Sequence, residues 1–486
     1  MKSQTIPFSR KPRVDPVGRV RQRVLELDGF LCGIVFVTAL VFGGATVKGN
    51  FADSIVESIS LPLLFIGLLR VKNLYKYGGA TAILAFILIL IIPIVQLFPI
   101  SGSVWRLLPG HDVALSILQT AQVARAHFTV SLSTWATERS ALCLVPPIAV
   151  YLGFLSMSPQ RRRNIWLVAA LVGVICVIHE ALQVVDGFGS GTQMRSYGGQ
   201  TNDLGIFFTN RNHLAAFLYS LIPISTFLYV SQTGPIKRIA WIFYLVFNII
   251  IIIGLAMTMS RSALALGVLG WGFSYKSILR RRIVAAGAPS IVQILGGLVA
   301  LLLVIGLALS FGLDVILTRL ADSGASDQTR WVLNRLSLSL IRIFWPLGSG
   351  LGTFERVFPI VQNNDTMFPA IANHAHNDFM ELIVETGVFG AATVILIYWT
   401  AIRSATRISE GSETILRQEG VAAVIIVILL SLHSIWDYPL RTCALSVIFA
   451  AACAAITVAG SPLFGAGAHS SQPGRLPKPL GKSAID

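Results

Sequence analysis

Charged residues are scarce in this chain. They make up 13% of its 486 residues, whereas hydrophobic residues make up 54%, and the mean hydropathy is +0.72. A soluble domain would carry about 25% charged residues. The composition therefore excludes an ordinary soluble enzyme or binding domain, and it indicates a chain that lies mostly in lipid.

Cysteine is also rare, and its placement excludes two further classes of protein. The five cysteines lie in or at the edge of apolar runs, and no two of them form a C-x-x-C pair. This pattern predicts neither a disulfide framework nor a zinc knuckle. The cysteines are Cys32, Cys143, Cys176, Cys443 and Cys453.

Long apolar runs, in contrast, recur along the whole sequence, and each is long enough to cross a hydrocarbon core of roughly 30 Å. Their length predicts helices, because the strands of a membrane barrel are shorter and alternate in polarity. The sequence therefore predicts an all-α, polytopic membrane protein with about twelve transmembrane helices. The predicted spans are 28–47, 53–70, 78–97, 140–157, 164–185, 212–230, 239–259, 262–279, 291–311, 381–402, 420–436 and 443–459.

The predicted spans divide the chain into five parts. A basic tail at 1–27 precedes the first nine spans at 28–311. A large loop on the outer side at 312–380, expected to contain short helices, precedes the last three spans at 381–459. The tail at 460–486 is rich in Gly, Ser and Pro and is expected to be disordered. The first apolar run has no small-residue cleavage pattern after it, so we interpret it as a retained span rather than a signal peptide.

The net charge of +15 is explained by membrane topology. With the amino terminus in the cytoplasm, the connections on that side carry 25 of the 38 lysines and arginines. Such an excess is the pattern of the positive-inside rule, and it predicts that both termini are cytoplasmic. The cations then contact anionic membrane lipids, and no nucleic-acid partner is indicated.

The loop at 312–380 has a pattern of its own. In WVLNRLSLSLIRIFW at 331–345, apolar residues recur at helical spacing, which predicts a helix on or beside the membrane face. The glycine-rich GSGLGTF at 348–354 follows it. Because this stretch does not connect a strand to a helix, we interpret it as a turn and not as a phosphate-binding loop.

Few cations lie on the outer side, and four of them are arginines near the ends of predicted helices. Arg211 lies at the mouth of the sixth span, Arg330 at the start of the loop helix, and Arg261 and Arg441 in turns between spans. A single arginine at a helix end is usually an interfacial anchor. Arg261, however, lies in a very short turn between two apolar spans, where a charge is costly unless it is paired. Arginines gathered at such a mouth favour an anion, and a phosphate or diphosphate suits their bidentate geometry.

A polar cluster, NHAHNDF at 373–379, stands directly before the tenth span. His374 and His376 have a spacing common in metal sites, and Asp378 could join them. The surrounding arginines would weaken a metal site, so chemistry without a metal or other cofactor is preferred. Near a diphosphate, a histidine can take the proton from an attacking hydroxyl while arginines stabilise the leaving group. Because nucleotide sugars are confined to the cytoplasm, a donor used here is expected to arrive on a lipid.

These motifs resemble a known family. HNDFMELIVETGVFGAAT at 376–393 is similar to the signature of the O-antigen ligase and polymerase superfamily, in which His-Asn is followed by nine residues, GxxG, two residues and a small or polar residue. Its matching residues here are His376, Asn377, Gly387, Gly390 and Thr393. Further matches are NRNHLAAFL at 210–218, MSRSALAL at 259–266, the loop with Arg330, Trp331 and GSGLGTF, and the DYPLR turn.

The resemblance implies a glycosyltransferase of the bacterial inner membrane with a periplasmic active site. Its donor would be a polyprenyl-diphosphate-linked glycan, and its acceptor either lipid A core or another glycan. His376 maps onto the base of the family, and the diphosphate-binding arginines map onto Arg211, Arg261 and, less directly, Arg330. Arg441 is expected to shape the loop or hold the glycan, and Asn377 to position its neighbour; His374 is grouped with them without an assigned role. Ligase and polymerase are both left open.

Two other classes of function compete with this interpretation. Twelve spans with cytoplasmic termini also suit a transporter or flippase for an anionic lipid-linked substrate, although ionisable groups would then be expected near the bilayer midplane. A metal-dependent membrane hydrolase using His374, His376 and Asp378 is the other alternative.

Overall fold

The computed structural model describes residues 16–46, 51–123, 127–189, 207–233, 237–258, 260–280, 324–366, 372–408 and 414–465. Nearly every element in these ranges is a helix. The longer helices are α1 Pro16–Phe42, α2 Phe51–Leu69, α3 Lys72–Leu97, α5 His111–Thr120, α6 Thr134–Leu142, α7 Val145–Ser156, α8 Pro159–Gly189, α9 Arg211–Val230, α10 Lys237–Met257, α11 Arg261–Ser274, α12 Gly324–Phe344, α14 Asp378–Ile408, α15 Ile415–His433 and α16 Cys443–Ala459. Short elements are α4 Gly102–Trp105, α13 Phe354–Val357, α17 Pro462–Gly465 and the antiparallel strands β1 Pro99–Ile100 and β2 Phe128–Thr129.

Eight helices in the described ranges are long and apolar enough to cross a membrane, as judged from length and composition. They coincide with eight of the predicted spans. Three more predicted spans correspond to shorter apolar helices, at Leu27–Phe42, Leu264–Leu279 and Cys443–Ala459. The span at 291–311 and most of the two tails lie outside the described residues. The all-helical membrane class is thus confirmed, while the count of twelve and the loop's location stay predictions.

Helix α9 is at the centre of the bundle. In its membrane-spanning window 94% of the residues are buried, compared with 22% in α3 and 28% in α10. It packs against α8, α10, α11 and α15. A central helix can hold polar side chains away from lipid, and α9 begins with the Asn-Arg-Asn-His stretch singled out above.

Helix α14 is broken near its first third, and the glycine-rich turn fills the break. Gly387 has φ +57°, and a Cβ there would lie 1.9 Å from the Pro346 carbonyl oxygen. The carbonyl groups of Val384 and Glu385 accept hydrogen bonds from the amides of Ser349 and Gly350, at 3.0 and 2.9 Å. These bonds satisfy the backbone groups that the break releases.

The helix predicted at 331–345 is confirmed as part of α12, which extends back to Gly324. Its buried side includes Leu333, Leu340 and Phe344. The helix packs against α14. The GSGLGTF stretch is confirmed as a turn, because Gly348, Gly350 and Gly352 all have positive φ angles, a conformation in which glycine avoids a steric cost.

Candidate functional site

The site begins in the loop before α14. Asn377 caps this helix, since its side-chain oxygen accepts hydrogen bonds from the amides of Phe379 and Met380 at 3.1 and 3.0 Å. The preceding residue, His376, has φ +51°, which is uncommon for a residue other than glycine. Backbone strain of this kind is concentrated at functional sites. The cap and the left-handed turn together fix where the His376 ring points.

The His376 ring points at a buried carboxylate, Asp437, in the turn between α15 and α16. The imidazole Nδ1 lies 3.3 Å from Asp437 Oδ1. The His376 side chain is 27% exposed, whereas that of Asp437 is 1% exposed. The pair therefore joins an imidazole that solvent can reach to a carboxylate that solvent cannot reach.

Asp437 is held by donors from several elements. It accepts hydrogen bonds from Asn212 Nδ2 at 2.8 Å and from the Tyr438 amide at 2.9 Å. Arg330 Nη2, from α12, lies 3.6 Å from Asp437 Oδ2, the oxygen that Asn212 also contacts. These contacts connect α9, α12 and the turn after α15 through one carboxylate.

Two further histidines flank Asp437 from inside the bundle. His213 Nε2 lies 3.8 Å and His433 Nε2 lies 3.9 Å from the carboxylate oxygens, and both rings are buried. Burial alone would raise the pKa of Asp437, but His213 and His376 lower it by more, so that its pKa lies well below the usual value. Asp437 is consequently an anion throughout the physiological pH range.

His374 pairs with a different carboxylate from the one that His376 contacts. Its Nδ1 lies 2.8 Å from Glu381 Oε1, and its ring stacks on Tyr438 with the centroids 4.1 Å apart. Glu381 is therefore the carboxylate partner of His374, as Asp437 is of His376. The His374, His376 and Asp378 side chains engage different partners, and within the described ranges no group of three or more His, Cys, Asp or Glu side chains is arranged to hold a metal ion.

Arg441 is surrounded by carboxylates. Its Nη1 donates a hydrogen bond to Glu385 Oε2 at 2.7 Å and lies 3.4 Å from Glu381 Oε1. Its Nε lies 3.7 Å from Asp378 Oδ1. Burial would lower the pKa of Arg441, but these carboxylates raise it above the usual value. This guanidinium holds α14 and the turn before α16 together, and its predicted contact with substrate stays a prediction.

The remaining predicted arginines lie at helix beginnings. Arg211 is the first residue of α9, directly before Asn212 and His213. Arg261 is the first residue of α11, and its side chain is exposed. Helices α9 and α11 pack together. The structure brings His376 and Arg330 to the Asp437 carboxylate. Arg211 directly precedes Asn212, which donates a hydrogen bond to the same carboxylate.

Sequence reasoning missed Asp437, His213, His433 and Glu381. A signal for two of them was available, since His213 lies in NRNHLAAFL and Asp437 is the first residue of the DYPLR turn. A carboxylate in a short turn between two apolar helices is as costly as an arginine there, so its position predicts a buried partner.

Comparison with known proteins adds one positive finding. Residues 245–395 match the family model described as O-Antigen ligase. This range includes Arg261, Arg330, His374, His376 and Asn377, but it ends before the Asp437 turn. No curated protein matches the chain significantly. The signature at 376–393 lies inside the matched range, so this part of the chain is similar to the O-antigen ligase and polymerase family.

Proposed function

We propose that this protein transfers a glycan from a polyprenyl-diphosphate carrier to an acceptor hydroxyl at the periplasmic face of the bacterial inner membrane. The reaction is an inverting displacement that uses no metal ion. The observation that supports it most directly is the His376–Asp437 pair, with Nδ1 3.3 Å from the carboxylate. The family match supports glycosyl transfer in general.

His376 is the proposed base. If Nδ1 carries the proton and donates toward Asp437, Nε2 is the basic nitrogen, because the partner of one ring nitrogen sets the state of the other. Nε2 takes the proton of the acceptor hydroxyl as its oxygen bonds to the anomeric carbon. The bond between that carbon and the diphosphate oxygen breaks, and the electron pair leaves with the diphosphate. A single displacement of this kind inverts the anomeric configuration.

Arginines stabilise the departing diphosphate in this scheme. Arg211 and Arg261 begin neighbouring helices, and Arg330 reaches the same carboxylate as His376. Asp437 does not contact the substrate. It is a positioning residue that orients the imidazole and stabilises the imidazolium formed during transfer.

The proposal is tested with purified protein in lipid nanodiscs and a polyprenyl-diphosphate-linked glycan. His376→Ala should lower the transfer rate by about 10²- to 10⁴-fold, the usual contribution of a general base. Arg261→Ala should also lower it, with Arg261→Lys intermediate because lysine cannot bind bidentately. His127→Ala and Arg106→Ala, which change exposed side chains elsewhere, should leave the rate unchanged.

Three outcomes would overturn the proposal. Normal transfer by folded His376→Ala would exclude the base, and activity that a chelator abolishes and zinc restores would exclude metal-free chemistry. Movement of the lipid-linked glycan across the bilayer without a covalent product would favour a flippase. Supplying lipid A core or a carrier-linked repeat unit as the acceptor separates a ligase from a polymerase.

A further inference from the structure

A long cavity lies between α3, α7, α14 and α16. Its volume is about 360 Å³, within the range of roughly 300–1,000 Å³ that is usual for small-molecule sites. The lining is mostly apolar, and several lining residues, among them Phe86, Ile148 and Ile397, are only half-buried. The space therefore also meets the outer surface of the bundle.

The cavity is elongated along α14. On that helix the lining extends from Asp378 to Ala401, on both sides of the break at Gly387. Beyond the break, the stretch from Gly390 to Ala401 alone rises about 17 Å at helical spacing. This is about half of a hydrocarbon core of roughly 30 Å. A narrow apolar space of this length suits an extended aliphatic chain better than a compact ligand.

One end of the cavity is polar. Asp378 and Arg441 line it there, and both side chains are at least nine-tenths buried. Within the described ranges, Asp378 Oδ1 and Arg441 Nη2 have no hydrogen-bond partner. A buried acceptor and a buried donor without partners lower the stability of the fold unless a ligand or water forms hydrogen bonds with them. They match a group that both donates and accepts, such as a hydroxyl or an amide.

Charge narrows the identity of the ligand. Arg441 is surrounded by three carboxylates, those of Asp378, Glu381 and Glu385. The glutamates alone, Glu381 and Glu385, outnumber the one guanidinium, so the group is negative overall and would repel a phosphate or diphosphate. The headgroup that fits is therefore uncharged where it meets the protein.

We infer that this cavity binds the aliphatic chain of a lipid whose hydroxyl- or amide-bearing headgroup meets Asp378 and Arg441. A donor or acceptor on the polyprenyl-diphosphate carrier is excluded by this charge, so the ligand is a membrane glycolipid with an uncharged headgroup; the exclusion of the carrier rests on the proposed function, whereas binding of the chain does not. The headgroup end is close to the base in the sequence and in the fold. Asp378 follows His376 by two residues, and the turn bearing Arg441 also bears Asp437.

Photolabelling of the full-length protein in nanodiscs tests binding without requiring transfer. The probes are a monoglucosyl lipid and a phosphatidic acid that carry the same diazirine-bearing acyl chain. The glucosyl probe should label residues that line the cavity, and at equal concentration it should label them at least about fivefold more than the anionic probe. Preferential labelling by the anionic lipid would overturn the headgroup assignment.

Ala401→Phe provides the decisive variant, since Ala401 lines the end far from the headgroup and is buried. A phenyl ring there should reduce labelling by the long-chain probe several-fold and spare a probe shortened by about one helical turn at its tail. Ile402→Phe is the matched control, because Ile402 is 58% exposed on the other side of the same helix. Equal labelling of Ala401→Phe and Ile402→Phe would refute the inference. If Ala401→Phe loses labelling but the wild-type protein transfers no glycan, the binding site is supported and the proposed function is refuted.

Discussion

Asp437→Asn is the substitution that tests the site most directly. It preserves the shape of the side chain and removes its charge. Asp437 accepts hydrogen bonds from Asn212 Nδ2 and the Tyr438 amide, and an amide oxygen can keep one of these. One lost bond to a buried donor costs about 1–3 kcal/mol of unfolding free energy. The variant is therefore expected to fold, with a measurably lower melting temperature.

The effect on transfer should be larger than the effect on stability. Without the carboxylate, the His376 imidazole loses the partner that fixes its tautomer and stabilises its charged form. General-base catalysis usually contributes 10²- to 10⁴-fold, so the barrier should rise by about 3–5 kcal/mol at 1.36 kcal/mol per tenfold. Because Asp437 acts in the transition state, kcat should fall while the KM for the donor stays nearly constant.

The assay is initial-rate glycan transfer in nanodiscs, with thermal unfolding measured on the same samples. Glu355→Gln is the control, since Glu355 is an exposed carboxylate outside the site. The double variant His376→Ala with Asp437→Asn should be no slower than His376→Ala alone, because the two residues act as a unit. Additive losses, or Asp437→Asn activity within about threefold of wild type, would refute the role given to Asp437.

Three further predictions concern stability. Gly387→Ala should destabilise the fold by at least about 1–3 kcal/mol, since its φ is +57° and the Pro346 carbonyl occupies the position of the new Cβ. Gly272→Ala, which has open space around it, is the control and should be neutral or stabilising. Thermal unfolding compares the two variants. Glu419→Ala should cost about 3–5 kcal/mol by leaving Arg162 buried without its partner at 2.8 Å, and Glu419→Ala with Arg162→Met should recover part of the loss. Because the pKa of Asp437 is lowered in the folded state, its stabilising contribution is present above the unfolded value of about 3.9. The contribution is lost progressively as the pH falls from there through the lower pKa of the folded state. In acid titrations followed by unfolding, Asp437→Asn should therefore lose less stability than wild type.

The sequence alone determined the helical membrane class and most helix positions. Apolar length and helical periodicity are local properties, so the eight long spans and the loop helix in α12 could be located without tertiary contacts. The choice of His376 also came from local sequence. The cap formed by Asn377 involves amides two and three residues away, and its Asn before an apolar helix is a sequence-level signal.

Only the tertiary structure decided the partners of the buried charges. His376 and Asp437 are far apart in sequence, and they meet because the beginning of α14 packs against the turn after α15, where the Asp378 amide donates a hydrogen bond to the Ser434 carbonyl. Tertiary packing also surrounds the Arg441 guanidinium with three carboxylates and places the glycine-rich turn in the break of α14. A buried charge is stabilised by whatever the fold brings within a few ångströms, and composition, periodicity and spacing along the chain do not contain that information.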